Sequence, residues 1–148
     1  MIKISNGTKK GFRLKVPNND LVRPKTSKTR KMIFDILQSV EGREILDIFA
    51  GSGSLGIEAL SMGATFATFM DRSTASINCI KDNLSKCDFA DKSLIINKDF
   101  SSGTRMLIKN KKKYDLIFID PPYSYFDDKT LNGIIRTALK LSPPGGII

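Results

Sequence analysis

With 148 residues, 41% of them hydrophobic, the chain is long enough for one well-formed core and is read as a single globular unit. Histidine is absent and cysteine occurs only at Cys79 and Cys87, which argues against a metal site or a disulfide framework. No apolar run has membrane-spanning length and the start lacks the apolar region of a signal peptide, so a cytoplasmic, membrane-free location is expected.

The net charge of +9 is unevenly placed. Residues 1–34 hold ten Lys and Arg and one acid, Asp20, whereas the remainder carries 14 of each sign. A basic arm on a neutral body suits a polyanion, most simply nucleic acid. Met1 to Val16 alternate loosely around Asn6-Gly7, which predicts a small basic β-hairpin outside the main sheet. The arm is assigned to residues 1–25 and an α/β domain to 26–148. Thr26 or Ser27 is the expected cap of a helix whose apolar face is Met32, Ile33, Ile36, Leu37 and Val40. Lys28, Arg30 and Lys31 near its start oppose the helix dipole, an arrangement that fits an anion nearby.

A strand over Glu44–Phe49 is followed by the loop Ala50–Ser54, a helix over Leu55–Met62 and a stop at Gly63. Strand Thr65–Met70 leads to Asp71, and a helix after Ser73 carries Ile77, Ile80 and Leu84. Leu94-Ile95-Ile96 is a third strand ending near Asp99, and a short helix is expected around Thr104–Ile108. The lysine cluster Lys109–Lys113 reads as a solvated turn. Strand Tyr114–Ile119 follows, Asp127 and Asp128 read as caps, and a last helix carries Leu131, Ile134, Ile135, Ala138 and Leu139. Strands alternating with helices predict a doubly wound, mainly parallel sheet of Rossmann-like type.

Gly51-Ser52-Gly53-Ser54-Leu55-Gly56 matches Gly-x-Gly-x-x-Gly between a strand and a helix, with Asp71 placed to accept from ribose hydroxyls or, alternatively, to cap the Ser73 helix. That pattern alone also fits a nicotinamide dinucleotide. Asp47, four residues before Gly51, would repel a pyrophosphate but suits the ammonium of a methionine-like group. Asp47, Phe49, Gly51 and Gly53 are therefore read as an S-adenosylmethionine loop. Asp99 could accept from the adenine amino group with Phe100 packing on the ring, or the pair could be an ordinary turn. At the end of the last strand, Asp120-Pro121-Pro122-Tyr123 offers a carboxylate, a stiffened backbone and a flat ring at the carboxyl end of a parallel sheet. Asp120 and the Pro121 carbonyl make a rigid pair of acceptors for a nucleobase amino group.

Taken together, Asp47–Leu60, Asp120-Pro121-Pro122-Tyr123, Gly11–Pro17, Arg23–Thr26 with Arg30, and Asn83-Leu84 resemble the family of 16S ribosomal RNA guanine-N2 methyltransferases. The resemblance covers essentially the whole chain. It implies an S-adenosylmethionine-dependent methyltransferase fold, methylation of the exocyclic N2 of a guanine in 16S ribosomal RNA, and the small ribosomal subunit or its RNA as partner. Asp120, Pro121, Pro122 and Tyr123 would then be catalytic, and Arg13, Arg23, Lys28 and Arg30 would hold phosphates. The family usually has Arg at Lys28 and Asp at Ser73. After the turn Pro143–Gly146, Ile147-Ile148 reads as the start of a fifth strand; family members continue that strand and add more, so C-terminal strands are expected to be missing here. Two alternatives stand beside this reading: a DNA adenine-N6 methyltransferase, which shares the Asp-Pro-Pro-Tyr motif, and a truncated remnant that binds RNA without catalysis.

Overall fold

A computed structural model describes residues 1–17 and 27–148. In chain order the elements are β1 (Ile2–Lys3), β2 (Arg13–Leu14), α1 (Ser27–Leu37), β3 (Glu44–Ile48), α2 (Ser54–Ser61), β4 (Phe66–Asp71), α3 (Thr74–Lys86), β5 (Ser93–Asn97), α4 (Phe100–Lys109), β6 (Leu116–Ile119) and α5 (Asp128–Leu139). Single 3-10 turns lie at Ala90–Lys92 and Tyr123–Tyr125.

Strands β3 to β6 pair in parallel in the order β5-β4-β3-β6. Ile45, Ala67, Phe69, Leu116 and Phe118 face one core, while Leu46, Ile48, Met70, Ile96 and Ile117 face the other. Strands buried on both faces have no polar alternation to show, which is why they read as continuous apolar runs. The chain leaves β3 toward β4 on one side and returns to β6 on the other, which opens a crevice at the carboxyl ends of β3 and β6. On the far edge of β6, the Ile147 amide donates to the Asp115 carbonyl and the Ile117 amide to the Ile147 carbonyl, both at 2.9 Å. The expected start of a fifth parallel strand is thus present as a single bridge between Leu116 and Ile147.

The hairpin forms its own two-stranded sheet, as expected, with Ile2 opposite Leu14 and Lys3 opposite Arg13. Its inward residues Ile2, Ile4 and Leu14 belong to the same core cluster as α2 and α3. At the turn, Gly7 has φ +80°, and a Cβ there would collide with the Ser61 carbonyl. The turn is docked on the end of α2: Thr8 N–H donates to Ser61 O at 2.7 Å and Lys9 N–H to Ser61 Oγ at 2.9 Å.

Every residue of α2 is buried, Glu58 included. A carboxylate can be held there only with partners, because an unpaired buried charge costs several kcal/mol, on the order of what holds a domain folded. Arg30, fully buried on α1, supplies the charge: its Nε lies 3.2 Å from Glu58 Oε2, and Nη2 donates to the Lys3 carbonyl at 2.8 Å. The Ser5 amide donates to Glu58 Oε1 at 3.0 Å. This pair corrects two expectations. Arg30 cannot reach RNA phosphates, because its guanidinium is sealed inside the fold. The buried face of α1 is set by Arg30 and Phe34, leaving Met32 and Ile36 exposed at 54% and 74%. A hydropathy pattern cannot place an arginine on the inside, so it took a face rotated from the buried one: Ile33 and Leu37 are half-buried against the core, and Val40, just past the helix, is buried. On α5 the expected face was too wide: Ile134 and Ala138 are buried, while Ile135 and Leu139 are exposed. The α3 face, Ile77, Ile80 and Leu84, is buried as expected.

Two hairpin cations are also neutralised within the fold, Lys9 on Asp88 and Lys15 on Asp82, each at 2.8 Å. These pairs are more exposed and weaker. Replacing Arg30 with Ala should therefore lower stability by about 3–5 kcal/mol, a fall in Tm of several degrees or more, whereas Lys15→Ala should shift the melt by little. A thermal or urea melt of the two variants checks the contrast.

Candidate active site

The site is built where β3, β4 and β6 end. The turn after β3 bends through a left-handed Phe49 at φ 61° and then through Gly51 and Gly53 at φ 57° and 74°. Two glycines in that region relieve a bend that would strain other residues. Gly56 serves differently: a Cβ there would strike the Phe69 ring, so it lets α2 lie close on β4.

Two carboxylates hold this loop in place. Asp47, 2% exposed, accepts from the Gly56 amide at 3.1 Å. Asp71 accepts from the Gly51 amide through Oδ2 and from the Ser73 amide through Oδ1, both at 2.8 Å. The acids picked out for a methionine ammonium and a ribose are here the splints of the glycine loop. Asp71 does not itself cap α3; Ser73 does, accepting from the Ser76 amide at 3.3 Å.

Beside the loop, Ile48, Phe49, Met70, Asp71, Arg72, Lys98, Asp99, Phe100 and Tyr125 line a slot. The Phe49 and Phe100 rings stack at 5.8 Å with a 13° interplanar angle, and Tyr125 tilts against Phe49 at 5.4 Å. These rings leave a void of only about 10 Å³, so a nucleoside base would enter by parting the stack. Aromatic and apolar walls with Asp71 and Asp99 at the rim fit the adenosine of S-adenosylmethionine in kind, rings for the base and carboxylates for hydroxyl or amino donors. Asp47 and the loop lie at the adjoining strand end.

Asp99 is the N-cap of α4, accepting from the Ser102 amide at 3.0 Å and its hydroxyl at 2.7 Å. Its exposed side keeps acceptor capacity toward the slot. The helix it caps runs over Phe100–Lys109, longer than the expected Thr104–Ile108. Asp127 caps α5 as expected, accepting from Thr130 at 2.9 Å, with Asp128 in the first turn. Cys79 and Cys87 are buried, and burial pushes both thiols up, as fits inert core residues.

Across the crevice, Asp120 leaves β6 with its amide 3.5 Å from the Ile48 carbonyl. Pro122 follows in an extended conformation at φ −61° and ψ 155°, and Tyr123 opens the 3-10 turn at 86% exposure. The structure thus brings Asp120, Pro121, Pro122 and Tyr123 to the end of the strand next to β3, beside Asp47, Phe49, Gly51 and Gly53. Arg13 and Lys28 are exposed. Arg23 lies outside the described residues. Sequence reasoning missed Tyr125, and the slot's Arg72 and Lys98; the signal for Tyr125 was the unusual aromatic density of Tyr123-Ser124-Tyr125-Phe126.

A parallel sheet whose switch point holds a glycine loop on one side and Asp-Pro-Pro-Tyr on the other defines the Rossmann-like methyltransferase fold. The chain belongs to the family described as conserved hypothetical protein 95, which it matches over residues 2–147. It is 33% identical over 148 residues to "Putative rRNA methyltransferase YlbH" of Bacillus subtilis, covering 99% of this chain and 80% of that one. It is also 33% identical over 123 residues to the Escherichia coli ribosomal RNA small subunit methyltransferase D, covering 82% of this chain. The chain spans 60% of that relative's length. Among solved structures, "Putative methyltransferase yhhF from Escherichia coli" superposes with a TM-score of 0.74 at 28% identity, covering 90% of this chain and 71% of that one. Among the described residues no helix is long and apolar enough to cross a membrane, and no cluster of acids and cysteines could hold a metal ion.

The Ser102 amide and then its hydroxyl hold the Asp99 carboxyl below the usual carboxylate range. A pKa lowered on folding stabilises above the ordinary carboxylate pKa, and this is lost as pH falls through the lower folded value. Asp99→Ala should accordingly melt below the parent protein at neutral pH, and acidification should close the gap. Parallel melts from pH 7 down through the carboxylate range read it directly.

Proposed function

We propose that this chain transfers a methyl group from S-adenosylmethionine to the exocyclic N2 amino group of a guanine in small-subunit ribosomal RNA, and with that a cytoplasmic place of work. The observation that carries the reading is the juxtaposition across the switch point: Asp120-Pro121-Pro122-Tyr123 lies one strand from the glycine loop, with Asp120 N 3.5 Å from Ile48 O. The relatives' printed names, an rRNA methyltransferase and a small-subunit rRNA methyltransferase, support the substrate class.

When bound, S-adenosylmethionine supplies an electrophilic methyl on sulfur. The rest is positioning by the chain. The exocyclic amine of guanine is a poor nucleophile, because its lone pair is delocalised into the ring. Asp120 and the Pro121 carbonyl accept hydrogen bonds from its two N–H groups and so turn the lone pair out of the ring plane. Orientation of this kind contributes at best about 7–11 kcal/mol to lowering a barrier. The two prolines keep these acceptors from relaxing away. Tyr123 stacks on the base once it has left its paired stack, a contact worth about 1–3 kcal/mol. No histidine is needed, since the proton departs to the Asp120 carboxylate or to water only after the nitrogen has become cationic. Arg13 and Lys28 hold phosphates, with Arg23 assigned the same task by its place in the basic arm.

Methyl incorporation should be measured on small ribosomal particles, naked ribosomal RNA and duplex DNA. Incorporation into guanine of the ribosomal substrates supports the reading, and preference for duplex DNA overturns it in favour of an adenine methyltransferase. Asp120→Ala should abolish turnover while RNA affinity changes little; retained turnover would remove Asp120 from the mechanism. Arg13→Ala and Lys28→Ala should each lower RNA affinity and reduce the slope of log K against log salt by about 0.7–0.9, one phosphate contact apiece. A salt titration of binding measures it.

A further inference from the structure

The segment after Asp120-Pro121-Pro122 is a 3-10 turn, closed by Tyr125 N–H on Pro122 O at 2.9 Å and Phe126 N–H on Tyr123 O at 3.1 Å. With three residues per turn, side chains three apart eclipse one another. Tyr123 and Phe126 accordingly lie side by side, centroids 5.7 Å apart at 36°, and are exposed at 86% and 57%. Tyr125 goes the other way. Its ring meets Phe49 at 5.4 Å and lines the slot with Phe100 and Asp99. A single exposed ring needs no explanation, but two in contact directly after the acceptor of the target amine form a continuous aromatic surface, its rings tilted by 36°.

We infer that this turn serves two sites at once: Tyr125 is a wall of the nucleoside slot, and Phe126 joins Tyr123 in a two-ring platform for the target base and the unpaired nucleotide beside it. The inference rests on the proposed function and extends it from one base to a short single-stranded element. The occupant is argued from chemistry on the page. Aromatic faces stack any unpaired base, whereas a base inside a duplex presents no free face to stack on. Tyr125 acts as a positioning residue: its ring braces the turn against Phe49, so the nucleoside slot and the target-base turn share one short piece of backbone.

The full chain is titrated calorimetrically with S-adenosylhomocysteine, and with a short single-stranded RNA containing one guanine, alongside the blunt duplex of the same sequence. Tyr125→Ala should weaken S-adenosylhomocysteine binding at least tenfold, and Tyr125→Phe should restore it, since the ring and not the hydroxyl meets Phe49. Tyr125→Leu, which keeps bulk and guards against a folding defect, should lose affinity as the alanine variant does. Phe126→Ala should weaken single-stranded RNA binding about five- to 150-fold, the stacking of one base, and leave duplex binding unchanged. Parent-like S-adenosylhomocysteine affinity in both Tyr125→Ala and Tyr125→Leu overturns the shared wall. Undiminished single-strand affinity in Phe126→Ala, or an equal loss on the duplex, overturns the platform. A parent chain that does not bind S-adenosylhomocysteine defeats the proposed function itself, whereas a parent that binds with neutral variants defeats this inference alone.

Discussion

A guanidinium and a carboxylate sealed from water, Arg30 and Glu58, tie three parts of the molecule to one point. Glu58 lies on α2, the helix whose first turn completes the glycine loop. Arg30 lies on α1, and between them they bind the hairpin backbone at Lys3 and Ser5. Neither charge is tolerable there without the other, so the hairpin, α1 and the helix behind the loop must assemble together. The consequence reaches the crevice: the hairpin is braced on the same helix that completes the glycine loop.

Buried and half-buried carboxylates play a second organising part. Asp47 and Asp71 stand at neighbouring strand ends, and each holds a backbone amide of the loop. A loop turned through left-handed glycines needs such splints, since it has no ladder of its own. A ligand arriving there meets a preformed backbone. It does not meet a preformed cavity, because Phe49, Phe100 and Tyr125 close on one another over the space a base would take. The rings are hydrophobic enough to prefer each other to water until something flat replaces the contact.

The basic character of the N-terminal region is redistributed by folding. Arg30 is withdrawn into the core, and Lys9 and Lys15 meet acids on α3 and just beyond it. Arg13 and Lys28 remain exposed. An excess of cations along a sequence is therefore an upper bound on the charge a polyanion meets, since the fold spends part of it internally.

Much of the fold was legible in the residues themselves. The strands after Glu44, Phe66, Ser93 and Tyr114 are short apolar runs, the loop advertises itself through Gly51, Gly53 and Gly56, and Asp120-Pro121-Pro122-Tyr123 follows its strand so closely that its place at a carboxyl end was already implied. These are local features, fixed by period, by backbone freedom and by what proline forbids. What only the tertiary structure decided concerns partners distant in sequence. Arg30 is internal because Glu58, 28 residues away, is buried opposite it. Asp71 grips Gly51 across 20 residues, and Tyr125 joins Phe49 in the aromatic slot because β6 lies beside β3 in the sheet. A charge or a ring in sequence has many possible neighbours, and the cost of burying it unpaired selects one only when the chain has closed around it.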